Sequence, residues 1–169
     1  MTLPSTAARR PGVLPAGVFT NQHKKVAPAK DYAEVMAKHR RKSEYITLFE
    51  QSRSVAREQF KAYAAAHGCP DGVLCVNDEV ALGAYRALCD LGIKVPREVA
   101  LIGCDGIEDT QYLECPLSTI VQPVEEMCRV AWQMLQERIE NPYHKFQHRW
   151  PKPQLAVRDS SQFFGGRVK

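Results

Sequence analysis

Three polar side chains stand where short apolar runs break off. The run GVLCV, residues 72–76, ends in Asn77-Asp78, and VALIG, residues 99–103, runs through Cys104 into Asp105-Gly106. A carboxylate accepts hydrogen bonds and an amide both donates and accepts, so these groups can hold a polar ligand. Two carboxylates, Asp78 and Asp105, could also act as an acid and base pair. The same residue types cap helices and close turns. Asp78, directly ahead of a helical pattern, fits the capping role. For Asp105 no long helix follows, and both roles stay open.

Other reactive side chains form no recognisable site. His144 and His148 are four apart, as two metal ligands on one helix would be. No third ligand is within reach and prolines follow closely, so no metal is assigned. Six cysteines, at 69, 75, 89, 104, 115 and 128, include no Cys-x-x-Cys pair. Cys75 and Cys104 fall inside strand patterns, and Cys89 and Cys128 inside helical ones. They read as reduced core thiols rather than a disulfide framework or zinc site. There is no Gly-rich phosphate loop and no nucleophile elbow. No cofactor is expected.

The elements that must position Asn77 and Asp105 are those of one strand–helix–strand unit, Pro70–Gly106. Val80, Ala84, Leu88 and Leu91 recur at helical spacing between the two apolar runs. Gly92 stands where a left-handed cap is needed, and Pro96 prevents continuation. Continuous apolar strands joined by such a helix form a parallel sheet, with ligands beyond the strands' carboxyl ends. Tyr45–Phe49 predicts an earlier strand. A helix capped by Ser52 or Ser54 follows, with Ala56, Phe60, Tyr63 and Ala64 inward. After Asp105, Ile107–Glu114 predicts a short helix or turn, and Leu117–Val121 a third strand closed by Gln122. Pro123 opens a helix with Val124, Met127, Cys128, Ala131, Leu135 and Ile139 along one stripe. Leu155–Arg158 predicts a last strand.

The chain has 169 residues, 44% apolar and 25% charged, the proportions of an ordinary globular protein. No run of eighteen apolar residues predicts a membrane helix, and the N-terminus lacks a sustained apolar signal region. A cytoplasmic location is expected. The net charge of +4 is uneven: residues 1–42 hold nine Lys/Arg and two Asp/Glu. That segment lacks the interleaved aromatics, zinc pattern or helix-turn-helix of a nucleic-acid reader. It is rich in proline and reads as a basic, poorly ordered leader, although Asp31–Lys42 can form a helix with Tyr32, Val35 and Met36 on one face. The expected organisation is a leader over 1–42, a sensor domain over 43–161 and a tail over 162–169.

Four sequence words carry a resemblance. They are PDGVLCVNDEVALGAYRAL at 70–88, LGIKVPREVALIGCDG at 91–106, PLSTIVQPVEEM at 116–127 and QLAVRDSS at 154–161. In this order and spacing, the chain resembles the effector-sensing core of LacI/GalR-type transcriptional regulators from about Phe49 to Ser160. The resemblance implies an α/β, Rossmann-like parallel sheet: the C-terminal lobe of a periplasmic-binding-protein-like (type I) fold with a partial second lobe. It implies a small-molecule effector, a sugar, held by Asn77, Asp105 and Gln122 in a cleft between lobes. It implies a homodimer with an exposed apolar trio, Leu82, Tyr112 and Leu113, in the contact.

The chain also departs from that family. No helix-turn-helix is found, so DNA contact is expected only through a part outside this chain. Most of the first lobe is absent, with only Pro116–Glu140 looking like its returning strand and helix. Ser54 stands where the family often places an aromatic that stacks on ligand. Arg40 and Arg41 lie near a ligand-contacting arginine's place, but without the surrounding pattern neither is assigned. The implied function is sensing without catalysis. Two other readings stand beside it: a truncated repressor remnant, and an α/β enzyme using Asp78 and Asp105.

Overall fold

The computed structural model describes residues 16–21 and 27–162. Six strands form one sheet in the order β2-β1-β3-β4-β5-β6. They are β1 (Ala16–Asn21), β2 (Glu44–Leu48), β3 (Gly72–Leu74), β4 (Ala100–Asp105), β5 (Ser118–Val121) and β6 (Gln154–Ala156). The first five run parallel, and β6 closes the edge antiparallel to β5. The helices are α1 (Ala27–Lys38), α2 (Arg53–His67), α3 (Asp78–Asp90) and α4 (Val124–Glu140). The order 2-1-3-4-5 is a doubly wound arrangement whose direction reverses between β1 and β3.

Side chains alternate across a strand, so the two faces of the sheet bury different sets. One face carries the main core: Ile46 and Leu48 of β2, Val73 of β3 and Leu101 of β4 pack under Phe60 of α2 and Val80, Ala84 and Leu88 of α3. On the other face Tyr32 and Met36 of α1 pack with Tyr45 and Leu74. Tyr32 and Met36 are one turn apart, as a single buried helix stripe requires, while Val35 is 55% exposed.

β1 and all of α1 lie in the segment expected to be a leader. Val18 pairs with both Tyr45 of β2 and Leu74 of β3, so the sheet begins well before residue 43. The high charge and four prolines of residues 1–42 obscured a central strand, AGVFTN. Residues 163–169, most of the expected tail, lie outside the described residues.

Local signals explain most element ends. Ser52 caps α2, its side chain accepting from the Val55 amide. Gly92 follows α3 with φ +71°, the left-handed geometry glycine supplies without strain. Helices α2 and α3 approach backbone to backbone at Gly83, where a Cβ would lie 2.3 Å from the Arg53 carbonyl oxygen. Pro123 is the residue before α4 rather than its first turn.

Three expectations are corrected. The α4 stripe exists, but α4 buries none of its 17 residues; periodicity reveals an apolar face, not what covers it. The strand Ser118–Val121 is not part of another lobe, because it pairs with β4 in the same sheet. Among the cysteines, all six are free, Cys75 is buried, and Cys89 and Cys128 are exposed rather than core. Burial pushes the Cys75 thiol well up from its ordinary value.

Candidate functional site

Asn77, Asp105 and Gln122 each follow or close a parallel strand, β3, β4 and β5, at the same edge of the sheet. Asn77 lies beside the β1/β3 reversal, where the two connections diverge and leave a crevice. Asp105 and Val121 are register partners, and the Gln122 amide donates to the Asp105 carbonyl at 3.3 Å. The structure therefore brings these two next to each other.

Asn77 and Asp78 exchange the roles expected from sequence. Asn77 is the cap of α3: its Oδ1 accepts from the Val80 amide at 2.9 Å. Its Nδ2 donates to Gln51 Oε1 at 3.0 Å. Asp78 is the first helical residue and is fully buried. Its Oδ2 accepts from the Gly106 and Ile107 amides at 2.7 and 2.9 Å. Its Oδ1 accepts from Thr119 Oγ1 at 2.7 Å. Both residues are good caps by type, so the pair alone could not reveal which one turns inward. With both oxygens occupied and no exposure, Asp78 cannot meet a substrate, which removes it from an acid and base pair with Asp105.

Asp105 is exposed and has φ +118°, a backbone region that L-residues with a Cβ rarely enter. Partial burial and the nearby Asp78 charge push its carboxyl above the usual range. Gln122 Nε2 reaches Cys104 Sγ at 3.6 Å. The edge thus offers one carboxylate and two amides, a set that can accept from and donate to several hydroxyls at once.

Sequence reasoning missed two residues at this edge. Phe49, placed by pattern inside a strand, follows the end of β2 and is 66% exposed. Its ring stands exposed just beyond the carboxyl end of β2, two residues before Gln51, which bonds Asn77. The break from YITL into the polar EQS was the signal for it. Ser54, in the first turn of α2, has its Oγ 3.3 Å from Ser52 Oγ.

The expected dimer trio is not a uniformly exposed patch. Tyr112 is 78% exposed, but Leu82 is 9% exposed and Leu113 half-buried. Leu82 and Leu113 instead floor a groove of about 430 Å³ between α2 and α3, rimmed by Arg53, Arg57 and Arg86. Those arginines are paired. Arg53 bonds Glu79 and Asp109, and Arg57 and Arg86 both meet Asp90. Among the described residues no His/Cys/Asp/Glu cluster could hold a metal, and no helix is long and apolar enough to cross a membrane.

The family profile described as a periplasmic binding protein-like domain matches residues 14–161. The chain is 37% identical over 91 residues to the ribose operon repressor of Haemophilus influenzae, covering 54% of this chain and 27% of that protein. It is 38% identical over 91 residues to the transcriptional repressor PurR of Vibrio vulnificus, again covering 54% of this chain and 27% of the relative. Among solved structures, a LacI family regulator from Enterococcus faecalis with bound ribose superposes with TM-score 0.76 at 26% identity, covering 88% of this chain and 54% of that one. A LacI family regulator from Arthrobacter sp. FB24 in complex with lactose shares the fold, with TM-score 0.80 at 24% identity, over 89% of this chain and 59% of that one. The chain therefore spans about a quarter of the length of the curated relatives and little more than half of the solved chains. With the parallel sheet and these matches together, the chain belongs to the periplasmic binding protein-like domain family, in the effector-binding form found in LacI-type regulators.

Proposed function

We propose that this chain is the sensing part of a LacI-type transcriptional regulator and takes a sugar at the carboxyl edge of its sheet. The observation that carries this reading is that Asn77, Asp105 and Gln122 lie beyond the carboxyl ends of three neighbouring strands. Asp105 accepts from vicinal hydroxyls, Gln122 and the Asn77 amide fix orientation, and Phe49 packs on an apolar ring face. The ribose bound by the Enterococcus regulator supports a sugar as the ligand class. The reading is one of binding without turnover, in the cytoplasm. The chain pairs with a second copy through the groove of Leu82 and Leu113 and the exposed Tyr112. It acts on DNA only through a helix-turn-helix supplied outside residues 1–169.

Calorimetric titration of the 169-residue chain with ribose and lactose tests the site. Saturable binding that drops by about 100-fold or more in Asp105→Ala supports it, given that charge-assisted hydrogen bonds are worth about 1.5–3 kcal/mol each. Undiminished binding by that variant removes Asp105 from the site. A second reading, a repressor remnant that folds without sensing, is favoured by the uncovered α4. It predicts no saturable uptake of either sugar by the unaltered chain.

A further inference from the structure

Asp78 is a fully buried carboxylate whose bonds lead to neither solvent nor its own helix end. Oδ2 grips two successive amides, Gly106 and Ile107, in the turn directly after Asp105. Oδ1 is fixed by Thr119 of β5. The neighbouring strand makes room for it: a Cβ on Gly103 would lie 2.0 Å from Oδ1. The grip falls on Gly106, which has unusual backbone, and directly after Asp105, which has it too. Asp105 has φ +118° and Gly106 φ +82°. A glycine adopts such angles freely; an aspartate must be held there. Asp105 is also tethered through its carbonyl, which accepts from the Gln122 backbone amide, and through a side-chain hydrogen bond with Cys104.

We propose that Asp78 is a positioning residue: its buried carboxylate, anchored on Thr119, holds the Gly106–Ile107 turn and so keeps Asp105 in the left-handed geometry that presents its carboxyl at the sheet edge. This rests on the reading of Asp105 as the ligand acceptor. It accounts for a charged group inside the core, since two amides and a hydroxyl are donors that favour a carboxylate over any apolar replacement. It also joins three elements, α3, β4 and β5, at the point where each contributes a residue to the edge.

The coupling has an electrostatic side. The groups acting on the Asp105 carboxyl are Asp78 from α3 and Cys104 on its own strand, whose thiol hydrogen-bonds it. Partial burial raises the carboxyl first, and the Asp78 charge raises it further. Removing that charge while keeping the shape, as in Asp78→Asn, lowers the Asp105 midpoint. Shortening the side chain, as in Asp78→Ser, releases the turn instead.

The test uses carbon-detected NMR titration of Asp105 and amide hydrogen exchange in the full chain, with ribose as the binding probe. The expected results are a lower Asp105 midpoint in Asp78→Asn and, in Asp78→Ser, exchange at Gly106 and Ile107 accelerated about tenfold relative to Leu101. Ribose affinity falls about tenfold in Asp78→Ser although Asp105 is intact. Thr119→Val removes only the anchor and keeps the Asp78 charge, so it accelerates exchange at Gly106 and Ile107 by less without lowering the Asp105 midpoint, and reads the positioning should Asp78→Ser fail to fold. A lowered melting temperature with an unmoved Asp105 midpoint and unchanged relative exchange at Gly106 and Ile107 overturns the proposal. The titration and exchange readouts need no ligand. Ribose binding that survives Asp105→Ala, with the coupling intact, refutes the ligand assignment and leaves the positioning role standing.

Discussion

At the scale of single residues, the sheet edge sets binding against stability. Asp105 carries a raised carboxyl value and a backbone angle that favours glycine or asparagine. A carboxyl that binds its proton more tightly when folded than when unfolded works against the fold once ionised. That penalty is present above the raised folded value and disappears as pH falls below the unfolded value of about 3.9. Asp105→Asn removes the charge and tolerates the angle. Its melting temperature at pH 7 is expected above that of the unaltered chain, with the gain vanishing in acid and solvent screening keeping it small. Thermal melts of the two proteins at pH 7 and pH 3 check this, and a variant less stable at pH 7 would contradict it. Sugar binding should show the mirror dependence: it needs the ionised carboxylate and fades on acidification earlier than for an ordinary Asp. Residue types at the edge were readable in sequence, as the apolar runs end there. Which of Asn77 and Asp78 turns inward was not, because that depends on Thr119, forty-one positions away, and on the space beside Gly103.

The elements are held by a few contacts that spacing alone does not show. Helices α2 and α3 approach closely at Gly83, and a Cβ there meets the Arg53 carbonyl at 2.3 Å and the Ala56 Cβ at 2.8 Å. Both obstacles belong to the rigid frame of α2, so Gly83→Ala must push the helices apart. The usual helix gain of alanine over glycine, about 1 kcal/mol, is outweighed by overpacking of about 1–3 kcal/mol. Denaturant unfolding should show a net loss; a stabilised variant would mean that α2 moves freely. A second lock ties the chain's end to the sheet. Ser160 Oγ accepts from the Ser118 amide at 2.7 Å and donates to the Leu101 carbonyl at 2.6 Å. Arg158 Nη1 reaches Leu117 O at 2.7 Å and Thr110 Oγ1 at 3.0 Å. This gives a physical reason for the word QLAVRDSS. Helices α2 and α3 and strand β4 were legible because each is a long or uninterrupted apolar pattern with its own cap. Strand β1 was not, although it is as long as β4, since it is flanked by prolines and basic residues and depends on pairing with β2 and β3 to exist as a strand.

Among the described residues, the molecule combines a well-packed sheet with a helix, α4, that buries none of its side chains. The main core is continuous from β2 to β5 under α2 and α3. By contrast Val124, Met127, Trp132, Leu135 and Ile139 of α4 are between 46% and 68% exposed. The aromatic residues beyond it are barer still, with Tyr143 at 96% and Trp150 at 85%. Contiguous apolar patches larger than a few hundred Å² are uncommon on monomeric proteins and make them adhesive. The apolar face of α4 lies on the surface and contributes nothing to the core, so polar residues there should cost less than about 0.5 kcal/mol. The paired substitution Leu135→Gln with Ile139→Gln is expected to leave the melting temperature nearly unchanged. It should reduce the binding of a hydrophobic dye to the native protein and reduce concentration-dependent association in sedimentation. The groove variant Leu113→Gln serves as the contrast, since Leu113 packs against the main core and its loss should lower stability as well. If the α4 pair instead unfolds the protein, α4 packs on the domain in solution and the exposed face is not its resting state.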